Sequence, residues 1–307
     1  VLIALILAAA LPQGANPPGT DEQQSYSVEI KFPAKPDQAP APVEIVDGHI
    51  LFRAKLAGQD ALVMIDNGAF PSVIDSSFVE RLGREIEQRD GVITTVHRSV
   101  PKRVVRDVAF SVPGVVDINA GAIAVADLSH VLSAENRRID AIFGADYLRS
   151  LALIFQGSKN SFRLGPGGGI TLPPAFPVVP LIGNRPTVAV TIGAQTLNLV
   201  LDLGDNGMMS ISRRVWDRIA PKNQMLTQTT VAGLDGQPFL VDRGVLPAVT
   251  LGRLRRENVA VRVVPDAPNQ EADGRLGFGF LLNTDFVLDI KAGKLVVVPY
   301  LRSAPAR

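Results

Sequence analysis

The chain has 307 residues and no cysteine, which removes disulfides, thiol nucleophiles and thiolate metal sites together. Histidine is nearly as scarce. The three present (His49, His97 and His130) are scattered, so a histidine-rich zinc site is not expected, and neither a metal nor a cofactor is. No Gly-x-Ser-x-Gly elbow accompanies them, which leaves a Ser-His-Asp triad without support. Neither sign of charge is in excess: Lys+Arg 31 against Asp+Glu 30 gives no electrostatic reason to bind nucleic acid or an anionic membrane surface. The local group Arg253, Arg255 and Arg256 is too small to change that. Long apolar runs are missing too. The block Val1–Leu11 stops at Pro12 and Gly14, too short for a membrane span. It reads as the apolar core of a secretory signal peptide, with a buried helix as the alternative. The first reading makes residues 1–20 a signal remnant, leaves no stable span in the mature chain, and sends the protein to the periplasm or the medium.

What is present is globular in character, with 46% hydrophobic and 20% charged residues, and long enough for two domains. Residues 21–44 are rich in proline (Pro33, Pro36, Pro40, Pro42) and read as a leader with little to bury, apart from a short alternating stretch at Tyr26–Phe32. From residue 45 the chain becomes a series of short β-type runs as far as residue 165. A Gly/Pro linker at 166–177, beginning in Gly165-Pro-Gly-Gly-Gly169, precedes a second series over 178–300.

The second series repeats the first. Ala61-Leu-Val-Met-Ile runs into the turn Asp66-Asn67-Gly68, and Leu197-Asn-Leu-Val-Leu runs into Asp202-Leu203-Gly204, an offset of 202 − 66 = 136. The hairpin before each turn aligns without a gap. Short helices follow, the first capped by Asp75 or Ser76 and the second by Ser212. Each copy then carries a later signature, Asp140-Ala-Ile-Phe-Gly144 and Asp273-Gly-Arg-Leu-Gly277, and from there the offset is 277 − 144 = 133. One Asp-x-Gly is what an ordinary turn uses. Two registered copies, each with its partnered glycine, point instead to units packed about a two-fold axis with the two aspartates meeting there.

This pattern resembles the retropepsin-like aspartic proteases, in a bacterial single-chain form with tandem domains, over roughly residues 45–300. The resemblance implies an all-β fold of two small barrel lobes with short helices. It implies a monomer with internal pseudo-symmetry acting on peptide or unfolded protein, with Asp66 and Asp202 sharing a proton and activating water. It also makes Asn67, Gly68, Leu203, Gly204, Gly144 and Gly277 the turn and its support. Two departures bear on activity. The family places Thr or Ser after each Asp to brace the pair across the axis; Asn67 offers polar atoms for this, and Leu203 none. Asp205 follows Gly204 where the first copy has Ala69, a third carboxylate that either disturbs the pair or points to solvent. The alternative reading is therefore a weakened pseudo-protease or peptide-binding protein of the same fold. Ala232-Gly233-Leu234-Asp235-Gly236 reads equally as the tip of a flap and as a plain surface hairpin. Asp140 and Asp273 read as local caps or ion partners, Trp216 as core, and His97 as part of a solvated basic run.

Overall fold

A computed structural model describes residues 28–33, 39–94, 99–132, 135–171, 176–183, 185–221, 224–232, 236–266 and 272–300. The apolar block at 1–20, His97, Asn184 and the hairpin tip 233–235 lie outside them. The first half contains β1 (Val28–Lys31), β2 (Ala41–Val46), β3 (His49–Leu56), β4 (Gln59–Ile65), β5 (Val73–Asp75), the helix α1 (Ser76–Arg81), β6 (Glu87–Thr94), β7 (Ser99–Val112), β8 (Val116–Ala126), β9 (Ala141–Phe143), α2 (Ala145–Leu148), β10 (Leu151–Gln156) and β11 (Ser161–Pro166). The second contains β12 (Val178–Pro180), β13 (Thr187–Ile192), β14 (Gln195–Asp202), β15 (Met209–Ser212), α3 (Arg213–Ile219), β16 (Thr227–Ala232), β17 (Pro238–Leu251), β18 (Leu254–Val264), β19 (Gly274–Gly277), α4 (Phe278–Leu281), β20 (Thr284–Asp289) and β21 (Lys294–Pro299). The fold is all-β, and no helix among the described residues is long and apolar enough to cross a membrane.

Local chemistry accounts for the elements. The turn between β3 and β4 is Ala57-Gly58, both at positive φ (48° and 82°), the two-residue geometry that matches the twist of a hairpin. Strand β4 is apolar on both faces because it has a core on each. Ala61, Val63 and Ile65 enter the main cluster, while Leu62 and Met64 enter a second cluster with Ala69, Val73, Ala124 and Ile142. Helix α1 begins where the Asp75 carboxylate accepts the Ser77 and Phe78 N–H groups, and α3 where Ser212 accepts that of Val215. Asp140 and Asp273 play one local role twice. Asp140 accepts the Leu62 N–H at 2.8 Å and pairs with Arg81, and Asp273 accepts the Asn198 N–H at 2.9 Å and pairs with Arg218. Trp216 is core, with its ring against Gly244.

The two halves share one strand order: β3-β4-β9-β5-β8-β7-β6 in the first lobe and β13-β14-β19-β15-β18-β17-β16 in the second. The parallel pairs match as well, β4 with β9 and β5 with β8 against β14 with β19 and β15 with β18. The lobes are the two tandem β-barrel sheets expected, and the tails of the halves lie outside them. They form a sheet shared by the lobes, in the order β12-β21-β20-β10-β11-β2. At its centre Leu153 pairs with Leu288 and Phe155 with Phe286. Since 286 − 153 and 288 − 155 are both 133, the repeat offset carries each of these pairs into the other, and the pseudo-two-fold axis passes through the pair Ile154–Val287. Strand β2 runs from this sheet into the first lobe by pairing with both β11 and β3. It starts at Ala41, inside the stretch whose composition suggests a leader, and β1 adds to the first lobe along β8. The main apolar cluster is continuous through both lobes and the shared sheet, where Phe155 stacks on Phe286 at 4.8 Å.

Candidate active site

Strand β4 leads directly into Asp66 and β14 ends in Asp202, and both aspartates are buried at the contact between the lobes, each 1% exposed. Asp66 Oδ1 accepts the Gly68 and Ala69 N–H groups at 2.7 and 3.1 Å, and Asp202 Oδ1 accepts that of Gly204 at 3.1 Å. Each carboxyl occupies the space left by the other lobe's glycine. A Cβ on Gly68 would stand 2.4 Å from Asp202 Oδ1, and one on Gly204 would stand 2.1 Å from Asp66 Cγ. No side chain larger than hydrogen fits at either position. The apolar-apolar-glycine segments pass behind these turns. Gly144 lies against Ala69 O and Gly277 against Asp205 O, and the next residues, Ala145 and Phe278, each donate to that same carbonyl at 2.8 Å.

Asn67 braces the turns across the axis by itself. Its Nδ2 donates to Leu201 O at 2.7 Å and its Oδ1 accepts the Leu203 N–H at 2.7 Å, both bonds buried. One amide thus supplies the donor and the acceptor that a hydroxyl would otherwise have to supply together. Leu203, fully buried in the main core, gives no polar bond in return.

The surroundings of the two carboxyls differ in charge. Positions occupied in the first lobe by Ala69, Ala124 and Ile142, all in one apolar cluster, are occupied in the second by Asp205, Arg262 and Arg275. Asp205 is fully buried, not solvent-facing, and pairs with Arg262 at 2.5 Å. Arg262 also donates to Asn206 Oδ1 at 2.8 Å, and Asn206 Nδ2 reaches Asp47 in the turn between β2 and β3, tying the lobes together. That turn needs glycine. Gly48 has φ +73°, and a Cβ there would be 2.9 Å from Asn206 Cβ. Arg275, on β19, bonds Asp202 Oδ2 at 2.8 Å with its own side chain 14% exposed. Sequence reading sees only an imperfect Arg-Leu-Gly here. The signal available to it was the replacement of Ile142 by arginine at a fixed offset of 275 − 142 = 133.

Proton affinity follows these contacts. Burial and the Asp202 charge hold Asp66 well above the ordinary carboxylate range; its two N–H bonds oppose this, and its hydrogen bond with Asp202 adds to it. Burial also raises Asp202, but Arg275 pulls it back, while Asp205 pushes it up.

The hairpin of β16 and β17 reaches across to the first lobe. Ala232 packs on the apolar cluster containing Leu128 and Val131, and Gly236, at φ +69°, lies over the His130 ring, where a Cβ would come within 2.8 Å. Gly233, Leu234 and Asp235 fall outside the described residues.

Two lobes of one topology, each ending a strand in an Asp-x-Gly turn and facing its copy across a pseudo-two-fold axis, define a scaffold of the aspartic-protease type. The family model described as aspartyl protease matches residues 52–147 and again 188–280, and the chain belongs to that retropepsin-like family in tandem form. No curated protein matches it.

Proposed function

We propose that the protein is an exported aspartic peptidase in which Asp66 and Asp202 hydrolyse peptide bonds of unfolded protein by way of an activated water at the interlobe cleft. The observation that carries this reading is the reciprocal seating of each carboxyl over the other lobe's glycine, with Asp66 held well above its ordinary proton affinity. Two acids so placed share one proton. The ionised member takes a proton from water as the oxygen attacks the peptide carbonyl, and the protonated member gives its proton to the carbonyl oxygen. On collapse of the resulting diol the amine nitrogen is protonated by the first acid, the C–N bond breaks, and a diol proton restores the second. The hairpin of β16 and β17 acts as a flap over the substrate, a role supported by its contacts with the first lobe. Export rests on the apolar block at the start of the chain, and amino-terminal sequencing of protein recovered from outside the cytoplasm tests it.

A second reading, a peptide-binding protein with weakened chemistry, draws on Leu203 and on the arginine bonded to Asp202. Incubation of the purified chain with unfolded casein at acid and neutral pH, with and without a statine-type transition-state analogue, separates the two. Cleavage abolished by the analogue supports the peptidase. Binding of casein with no cleavage at any pH supports the alternative.

A further inference from the structure

The pair at the axis is symmetric in backbone and asymmetric in charge. Of the two arginines that stand where the first lobe has Ala124 and Ile142, Arg262 pairs with Asp205 at 2.5 Å and Arg275 with Asp202 at 2.8 Å. The matching side chain beside Asp66 is Ile142, which is 1% exposed and carries no charge. The bond to Arg275 is sheltered, Asp202 being 2% exposed in its side chain, so water screens it little. Asp202 also faces Asp66 across the axis and Asp205 in its own turn; both are acids, and either of them when ionised opposes its charge. We infer that Arg275 is a positioning residue that keeps the negative charge of the pair on Asp202 and the proton on Asp66.

Resting on the peptidase reading, this gives each lobe a fixed part. Asp202 accepts the proton of the attacking water, and Asp66 donates to the carbonyl oxygen. Homologous turns that already differ in Asn67 against Leu203 and in Ala69 against Asp205 are given unequal charge at the carboxyls by Arg275. The proton affinities agree, since Asp66 is raised well above the ordinary range while Arg275 works against the rise at Asp202. The pair stays singly protonated down to the pH at which Asp202 itself takes up a proton, so Arg275 sets the acid limit of activity.

Two measurements on the full chain test this: the pH profile of kcat/KM on casein, and the titration of carboxyl-13C-labelled aspartate by NMR, with Asp66→Asn and Asp202→Asn used to assign the two signals. In Arg275→Met the Asp202 midpoint and the acid limb should both rise by about 1–3 pH units, the shift an adjacent arginine produces. Arg275→Lys should recover part of the shift. Arg275→Gln is the second neutral variant should the methionine form fail to fold. A natural chain in which Asp66 is the ionised member, or a neutral variant with the Asp202 midpoint unmoved, overturns the inference. Because the NMR titration needs no turnover, a natural chain that never cleaves but titrates as stated removes the peptidase reading and leaves the charge assignment standing.

Discussion

Asn67 ties the two Asp-x-Gly turns together across the axis, and truncating it shows how much that registry is worth. Asn67→Ala removes the donor to Leu201 O and the acceptor of the Leu203 N–H, both at 2.7 Å and both buried. Leaving the Leu203 N–H bare costs about 1–3 kcal/mol, and losing the second bond adds about 1 kcal/mol, for a total of roughly 2–4 kcal/mol. Asn67→Leu separates bonding from packing, since it fills the space, duplicates Leu203 and makes neither bond. Urea denaturation reads the midpoint of each variant at constant slope. Both substitutions should lower stability by that amount, and kcat should fall about 100-fold as the carboxyls lose alignment. Asn67→Thr, whose hydroxyl both donates and accepts but reaches less far, should recover part of the loss. A leucine variant within about 1 kcal/mol of the natural chain would refute the reasoning, because the two Asn67 bonds would then add little to what holds the turns together.

Other consequences follow from the same geometry. Gly204→Ala drives a methyl to 2.1 Å from Asp66 Cγ, so casein cleavage should be lost while the circular dichroism of the sheets persists. Arg262→Ala leaves Asp205 buried and unpaired and should cost about 3–5 kcal/mol. Adding Asp205→Ala, which copies the first lobe's Ala69 and Ala124, should restore most of that in a double-mutant cycle. Asp66, raised in the folded chain, contributes stability that is present below the unfolded carboxylate value and lost as pH rises through its folded value. Asp66→Asn should therefore gain thermal stability over the natural chain increasingly as pH rises above the unfolded carboxylate value, and little below about pH 4. His130→Ala removes the ring beneath Gly236 and should raise KM for casein several-fold while leaving the titration of the aspartates in place.

The repeat was legible because it is written in strong local signals. An apolar strand entering Asp-x-Gly, a Ser or Asp helix cap and an Ile-Phe-Gly segment each follow from short-range chemistry, and their spacing ties the halves together. The shared sheet was not. Leu151–Phe155 and Phe286–Leu288 are apolar in the manner of any buried strand, and nothing local says that they pair with each other across the lobes. Pro40 and Pro42 give β2 the composition of a leader, yet Pro42 sits next to the strand's first residue, where its missing N–H matters least. At the site, sequence reasoning locates both carboxyls and doubts the bracing at Leu203. It does not see that the longer Asn67 amide can make both bonds from one side. Replacing Leu203 by threonine to restore a hydroxyl is thus unpromising, because that side chain is fully buried in the main core and losing its apolar packing destabilises. Arg275 and the pair Asp205–Arg262 were visible only as irregularities in the second copy. Their meaning depends on which strands lie side by side.

The central claim is that both aspartates are needed for hydrolysis, and the most direct test compares the natural chain with Asp66→Asn and Asp202→Asn on denatured casein at matched pH and matched stability. Each substitution keeps the size of the side chain in the space over the opposite glycine and removes only its capacity to exchange a proton. The natural chain should cut casein and both variants should fall to background. Cleavage at the natural rate by either folded variant would show that the chemistry does not lie at this pair.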